Sequence, residues 1–122
     1  MENLRFKFRA WYEKESRMLE WDDLQDGTEE LERYFSNKMS DVSPVMQHTG
    51  TKDKNGKDIY EGDLITDGGL LVPFELYWNV PSAEWWVKRG DDEGWKIDLS
   101  YTKMYEVVGN KFEDKHLLEG GE

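Results

Sequence analysis

Val72, Phe74, Leu76 and Trp78 recur at every second position, with Pro73, Glu75 and Tyr77 between them. A spacing of two is the strand period, so it gathers the apolar set on one face of a pleated ribbon. After the polar stretch Asn79 to Glu84, Trp85 and Val87 lie on an apolar face while Trp86 and Lys88 point away. If the two apolar faces coincide, Trp78 stands opposite Trp85, Tyr77 opposite Trp86, and Glu75 opposite Lys88. That register also sets opposite charges face to face.

The same period recurs along the chain. Leu4, Phe6, Phe8 and Ala10 alternate with Arg5, Lys7 and Arg9, which predicts a half-buried strand over residues 4–11 with a basic outer face. The charged turn Glu13 to Ser16 follows, and Arg17 to Trp21 returns as a second strand. Val45 to His48 reads as a short strand, Leu64-Ile65 begins another that ends at Asp67-Gly68-Gly69, and Tyr105 to Val108 is the last, closed by Gly109-Asn110. Trp95, Ile97, Leu99 and Tyr101 alternate with Lys96, Asp98, Ser100 and Thr102, which predicts a strand with its aromatic face inward. Between the strands, Asn55-Gly56 is a two-residue hairpin signal because both residues tolerate positive φ. Glu61-Gly62-Asp63 is a second tight bend.

Helix signals are few. Asp26, with Glu29 three positions later, reads as a capping pair, and a short helix of about three turns is expected near residues 28–39 with an acidic first turn. Glu113 to Leu118 is expected to form one helical turn. The reading is mainly β (α+β overall), one domain over residues 1–122. Residues 1–43 carry the N-terminal strand hairpin and the acidic short helix, 44–118 a more compact β section, and 119–122 a frayed tail. Phe6, Phe8, Phe74, Trp78, Trp85, Trp95 and Tyr101 are the expected core aromatics.

Composition bounds the rest. The chain has 122 residues, enough for one modest core, and its six Trp, six Tyr and five Phe supply large apolar area where aliphatics are thin. It has no cysteine, so neither a disulfide framework nor a thiolate metal site is available. No stretch approaches the roughly 20 apolar residues of a membrane span, and the N-terminus shows no signal-peptide pattern, so a cytoplasmic protein is expected. The net charge of −11 favours solubility and repels phosphate backbones.

Three segments together resemble a known pattern. Leu4-Arg5-Phe6-Lys7-Phe8-Arg9-Ala10-Trp11 resembles the "IKFRAWD" opening of the YopX-like proteins, which are encoded in phages and prophages of bacteria. Met46 to Asp63, reading MQHTGTKDKNGKDIYEGD, resembles the central "QYTGLKDKNGKEIYEGDIV" of that family. Tyr105 to Glu113, followed by Leu117-Leu118, resembles its closing "EVIGNIYENPELL". The departures are Tyr12 for the usual acid, His48 for Tyr, Thr51 for Leu, and Lys115-His116 for Pro-Glu; the acidic stretch 20–40 has no counterpart. The resemblance implies a small SH3-type β-barrel in the C-terminal part. It implies no activity and supplies no catalytic or binding residues.

The residues give little support for chemistry. Asp53, Asn55 and Asp58 are closely spaced oxygen donors, but a calcium loop starting at Asp53 wants Gly at its sixth position and Glu at its twelfth. Asp58 and Leu64 stand there instead, so turn chemistry is the better reading. His48 and His116 are the only histidines, with no spacing that suggests a zinc site. No nucleophile elbow, phosphate-binding loop or dinucleotide fingerprint is present. With 27 acidic residues in the chain, a carboxylate pair at catalytic distance arises by chance and carries no weight. No catalytic, cofactor-binding or metal residue is assigned.

Two surfaces remain. Tyr77 and Trp86 face outward in the expected register and are the candidate protein-contact surface. They are covered by the protein's own helix or N-terminal section, or they meet a partner or a second copy. Arg5, Lys7 and Arg9 form a small basic stripe, the candidate nucleic-acid contact, weak against the opposing net charge. The expected function is that of a non-enzymatic accessory protein binding a phage or host protein, and itself as a homo-oligomer. The alternative is a nucleic-acid-associated factor, and a carboxylate enzyme ranks last.

Overall fold

The computed structural model describes residues 7–26, 33–34, 36, 41–68, 72–90 and 93–118. The described chain is mainly β, with few helices. It divides into two compact units, Met1–His48 and Thr49–Glu122.

In the first unit, β1 (Phe8–Tyr12) and β2 (Arg17–Leu19) form an antiparallel hairpin with Ala10 opposite Leu19 and Trp11 opposite Met18. Ser16 turns the corner in the left-handed region at φ 50°. On the other side of β1, β3 (Met46–Lys52) pairs through Met46 and Gln47. The helix α1 (Trp21–Asp26) follows β2 directly. Its start is capped locally: Glu20 donates its N–H to the Asp23 carboxylate at 2.9 Å, and Leu24 closes the first turn onto the Glu20 carbonyl at 3.0 Å. The core of this unit joins Ala10, Leu19, Leu24 and Tyr34, with Phe8 tilted against Trp21 at 5.7 Å.

The first unit departs from expectation in two places. A helix begins at Trp21, where the sequence suggested the end of a strand, because the Glu20 and Asp23 pair supplies a cap there; Glu29, expected to cap a later helix with Asp26, lies outside the described residues. Most of the expected 28–39 helix lies outside the described residues, within which Arg33 and Tyr34 are helical. Arg9, expected on a solvated face, is 7% exposed, and it shares a buried run with Ala10 and Trp11. A strand flanked on both edges and covered on both faces loses the polar alternation that identifies a half-buried one. Leu4, Arg5 and Phe6 lie outside the described residues.

In the second unit, the end of β3 turns into β4 (Asp58–Tyr60), β4 bends into β5 (Asp63–Thr66), and a five-stranded antiparallel sheet follows. Its order is β8 (Trp95–Lys96), β7 (Glu84–Lys88), β6 (Phe74–Asn79), β5, β9 (Glu106–Asn110). The hairpin β6–β7 has the register that the alternation demands: Trp78 opposite Trp85, Tyr77 opposite Trp86, Glu75 opposite Lys88. The pairing of β5 with β9 shifts register between Leu64 and Ile65, a bulge that bends and twists the strand.

The core of this unit is aliphatic: Ile59, Ile65, Leu76, Val87 and Val107, with Phe74, Trp85, Ile97 and Tyr105 packed around it. Burying each of these aliphatic side chains contributes about 2 kcal/mol. The aromatics expected at the centre sit at the margin instead. Trp78 is 38% exposed, Trp95 45% and Tyr101 58%. They still share contacts, Trp78 edge-on to Trp85 and Trp95 edge-on to Phe74, each at 5.2 Å.

Two connecting segments of this unit also differ from expectation. The β3–β4 turn is not a two-residue hairpin; Gly56 alone takes positive φ, at +82°, and a wider loop closes with Asp53 N–H on the Lys57 carbonyl at 2.8 Å. The Asp53 side chain organises that loop, accepting the N–H groups of Asn55 and Lys57 on one oxygen, each at 2.8 Å, and that of Val107 on the other at 2.9 Å. The strand expected over residues 95–102 stops after Lys96. Leu99 to Met104 form a 3-10 helix.

Candidate aromatic groove

The departure from strand at Asp98 has a local cause. The Asp98 backbone stays extended, and its carboxylate oxygen Oδ1 accepts both the N–H and the hydroxyl of Ser100, at 2.9 and 2.8 Å. An aspartate bonded two residues ahead competes with a strand ladder and starts a helical turn. Because a 3-10 helix has three residues per turn, positions three apart share a face. Leu99 and Thr102 take the inner face, where Thr102 is buried and its hydroxyl donates to the Leu99 carbonyl at 3.0 Å. Tyr101 and Met104 take another and remain exposed.

The result is a groove of about 480 Å³, lined by Phe74, Trp95, Ile97, Tyr101, Met104 and Tyr105. Its floor reaches core residue Val87, and Lys96 and Asp98 contribute its polar groups. Lys96 is already engaged by Glu84 at 3.0 Å. The Lys96 hydrogen bond, with a second from the Trp86 indole, holds the Glu84 carboxyl below its ordinary value, and Glu84 in turn raises the Lys96 ammonium. Asp98 stays ionised more readily than a free aspartate, first because of the Ser100 N–H and then because of the Ser100 hydroxyl. Among the described residues, Trp95 Nε1–H and the hydroxyls of Tyr101 and Tyr105 make no hydrogen bond within the chain. The groove is thus an apolar trough whose open polar atoms are one indole donor and two hydroxyls that can donate or accept, beside one carboxylate.

Tyr77 and Trp86 are brought together as the register requires, their rings 6.5 Å apart at 60°. Both are half-buried. The Tyr77 hydroxyl lies where a Cβ on Gly94 would overlap it, Lys88 Nζ stands 5.2 Å from the Tyr77 ring centroid, and Trp86 Nε1 donates to Glu84 at 3.4 Å. These neighbours come from β7 and from the segment leading into β8. Lys7 is half-buried and Arg9 buried, so the described part of the basic stripe is not an open cationic face.

The oxygen donors around Asn55 are spent on the turn. Asp53 is buried and committed to three backbone N–H groups, while Asp58 pairs with Lys52 at 2.6 Å. His48 is buried, whereas His116 is exposed on the final 3-10 turn, Lys115–Leu118. Among the described residues no cluster of three or more His, Asp or Glu is placed to hold a metal ion, and no helix is long and apolar enough to cross a membrane.

Sequence reasoning missed the groove. Its one available signal was Asp98 with Ser100 two residues on, a capping pattern inside an alternating run. Tyr101 and Met104 then follow at the three-residue spacing of the tight helix.

A family model described as "YopX protein" matches residues 7–119. Among solved structures, the chain is similar to the crystal structure of protein EF1440 from Enterococcus faecalis, at 25% identity and a TM-score of 0.62 over 92% of this chain and 96% of that one. The likeness is that of a mainly β architecture with curled sheets forming half-barrels. No curated protein matches the chain.

Proposed function

The chain belongs to the YopX protein family, and from that premise we propose that it is a phage- or prophage-encoded accessory protein that acts in the bacterial cytoplasm by binding another protein. The observation that carries this reading is the open groove of the second unit. Trp95, Tyr101 and Met104 hold exposed apolar surface around a trough that descends to the core. Exposed aromatic and Met surface costs hydration, and it is what binding surfaces are enriched in. In this reading the five-stranded sheet belongs to a barrel of SH3 type, with the bulge at Leu64/Ile65 supplying the bend. The paired rings of Tyr77 and Trp86 serve contact between copies of the chain.

The test is affinity capture from bacterial cells carrying the phage or prophage, comparing the native chain with Tyr101→Ala/Met104→Ala. Both side chains are exposed, so the variant should keep its melting temperature. A captured protein that is lost with the variant supports the reading. Identical captures by both chains count against it.

A further inference from the structure

We infer that Asn55 is a site of self-modification: its side-chain amide converts to aspartate and isoaspartate, and the Asp53 carboxylate sets the rate by holding the turn closed. The inference is independent of the groove.

The reacting groups are neighbours in the chain. Asn55 precedes Gly56, which has no side chain to shield its nitrogen, and both residues are exposed. The Asn55 carboxamide makes no hydrogen bond among the described residues. A Cβ built on Gly56 would meet no other atom within 4 Å, so solvent reaches the pair. In the reaction the Gly56 nitrogen gives its proton to solvent, and its electron pair forms a bond to Asn55 Cγ. The side-chain nitrogen takes up a proton and leaves as ammonia, and a cyclic imide remains. Water then adds to one imide carbonyl and breaks that carbonyl's bond to nitrogen. Opening at Cγ gives aspartate. Opening at the main-chain carbonyl gives isoaspartate, whose chain continues through the former side chain. Water enters, ammonia leaves, and nothing is oxidised or reduced.

The native turn withholds the nucleophile. Gly56 donates its N–H to the Asp53 carbonyl at 3.0 Å, closing a turn over residues 53–56. Neither Lys54 nor Asn55 has positive φ and no peptide is cis, so the turn is of type I, with Asn55 at a ψ of about 0°. At that angle the Gly56 nitrogen stands in line with Asn55's own nitrogen rather than with its Cβ. Ring closure therefore requires rotation out of the turn geometry. That rotation breaks bonds on both sides. Asp53 Oδ1 accepts the N–H groups of Asn55 and Lys57, each at 2.8 Å, and the Asp53 N–H lies on the Lys57 carbonyl at 2.8 Å. The other carboxylate oxygen is anchored by the Val107 N–H at 2.9 Å, so the carboxylate resists following the turn as it moves. Reaction thus proceeds from the opened turn, and its rate falls with the fraction of time the turn is open.

The product feeds back on the same bonds. Isoaspartate inserts a main-chain carbon between the two N–H groups that share Oδ1, and it places a new carboxylate close to that of Asp53. Both changes loosen the grip on Lys57 and Val107.

The experiment incubates the full chain at mildly alkaline pH, well below the melting temperature of every variant. Asn55 is followed by peptide mass spectrometry, with isoaspartate identified by enzymatic methyl labelling. The native chain should react at least about tenfold more slowly than the same chain unfolded in guanidinium chloride. Asp53→Ala should recover most of that difference. Val87→Ala, a truncation in the aliphatic core of the second unit, lowers stability with the turn bonds in place and should stay near the native rate. Asn55→Gln, whose longer side chain closes the ring poorly, should give no product at that position. If Asp53→Ala does not fold, Asp53→Asn takes its place, with a several-fold acceleration expected. In the aged native chain, the Val107 amide should exchange faster in the isoaspartate fraction.

Equal rates in the native and unfolded chains overturn the inference, because the turn then protects nothing. An Asp53 variant no faster than the native chain overturns it as well. So does Val87→Ala reacting as fast as the Asp53 variant, which assigns the gate to global unfolding. Unchanged Val107 exchange in the modified fraction overturns the feedback.

Discussion

The Asp53 carboxylate accepts the Val107 N–H at 2.9 Å across 54 residues of chain. One residue further on, Lys54 donates its N–H to the Tyr105 carbonyl at 2.9 Å. Two residues of the β3–β4 turn thus act as a short extra strand along the free edge of β9. An uncovered edge is a template for unwanted pairing, and here a side chain and a single peptide group cover it.

Replacing Asp53 should therefore cost more than a turn residue usually does. Asp53→Ala removes the acceptor from three backbone N–H groups, one of them fully buried, and should lower stability by about 3 kcal/mol. Asp53→Asn leaves one carbonyl for Asn55 and Lys57 but turns an amide N–H₂ toward Val107. A loss of about 1–2 kcal/mol is expected there, with faster amide exchange at Val107. Chemical denaturation and hydrogen exchange check both.

The same carboxylate sets a response to acid. Burial pushes the Asp53 carboxyl up, but the N–H groups of Val107, Lys57 and Asn55 and the charge of Lys57 outweigh it, so the group ends below its ordinary value of 3.8. A group depressed by folding contributes its full stabilisation above the ordinary value and loses it as pH falls through the depressed one. The native chain should lose stability below about pH 4 more steeply than Asp53→Asn, which has no proton to bind at that site. Melting temperatures across pH 2–6 would show parallel curves if this is wrong.

Gly109 is a packing requirement. A Cβ there would overlap the carboxylate of Asp114, which accepts the Asn110 N–H at 3.0 Å. Gly109→Ala should cost about 1–3 kcal/mol by forcing that carboxylate off its partner. In an Asp114→Ala background the additional cost of Gly109→Ala should largely vanish, since its obstacle is gone. Additive losses in the double-mutant cycle would refute the contact.

Gly94 has the equivalent relation to Tyr77, whose hydroxyl occupies the space a Cβ would take. Gly94→Ala should destabilise the chain and shift the Tyr77 and Trp86 ring resonances together, because the two rings touch. Tyr77→Phe removes the obstructing atom and should restore part of the loss. Failure of that rescue would place the strain in the backbone instead.

The hairpin β6–β7 was legible to the residue because two independent patterns agreed there, the period-two apolar face and the opposed charges of Glu75 and Lys88. Residues 95–102 obeyed the first pattern alone, and alternation does not register that Asp98 can satisfy Ser100 locally and so release the strand. Arg9 was misplaced for the converse reason: on a strand buried on both faces, a charged residue no longer marks the solvent side. The bend at Glu61-Gly62-Asp63 was readable from Gly62, which takes φ +89°. The groove was not, because it needs Phe74 and Tyr101 brought together by pairings that no local signal encodes.

The stitch between Asp53 and Val107 also orders events in time. On a ribosome adding about 5–20 residues per second, the turn emerges several seconds before the strand that will satisfy it. Until then its carboxylate must remain hydrated, and the second unit stays ajar. Completion waits for Val107, so a chain stalled or terminated before that residue would present the unfinished seam to quality-control proteases.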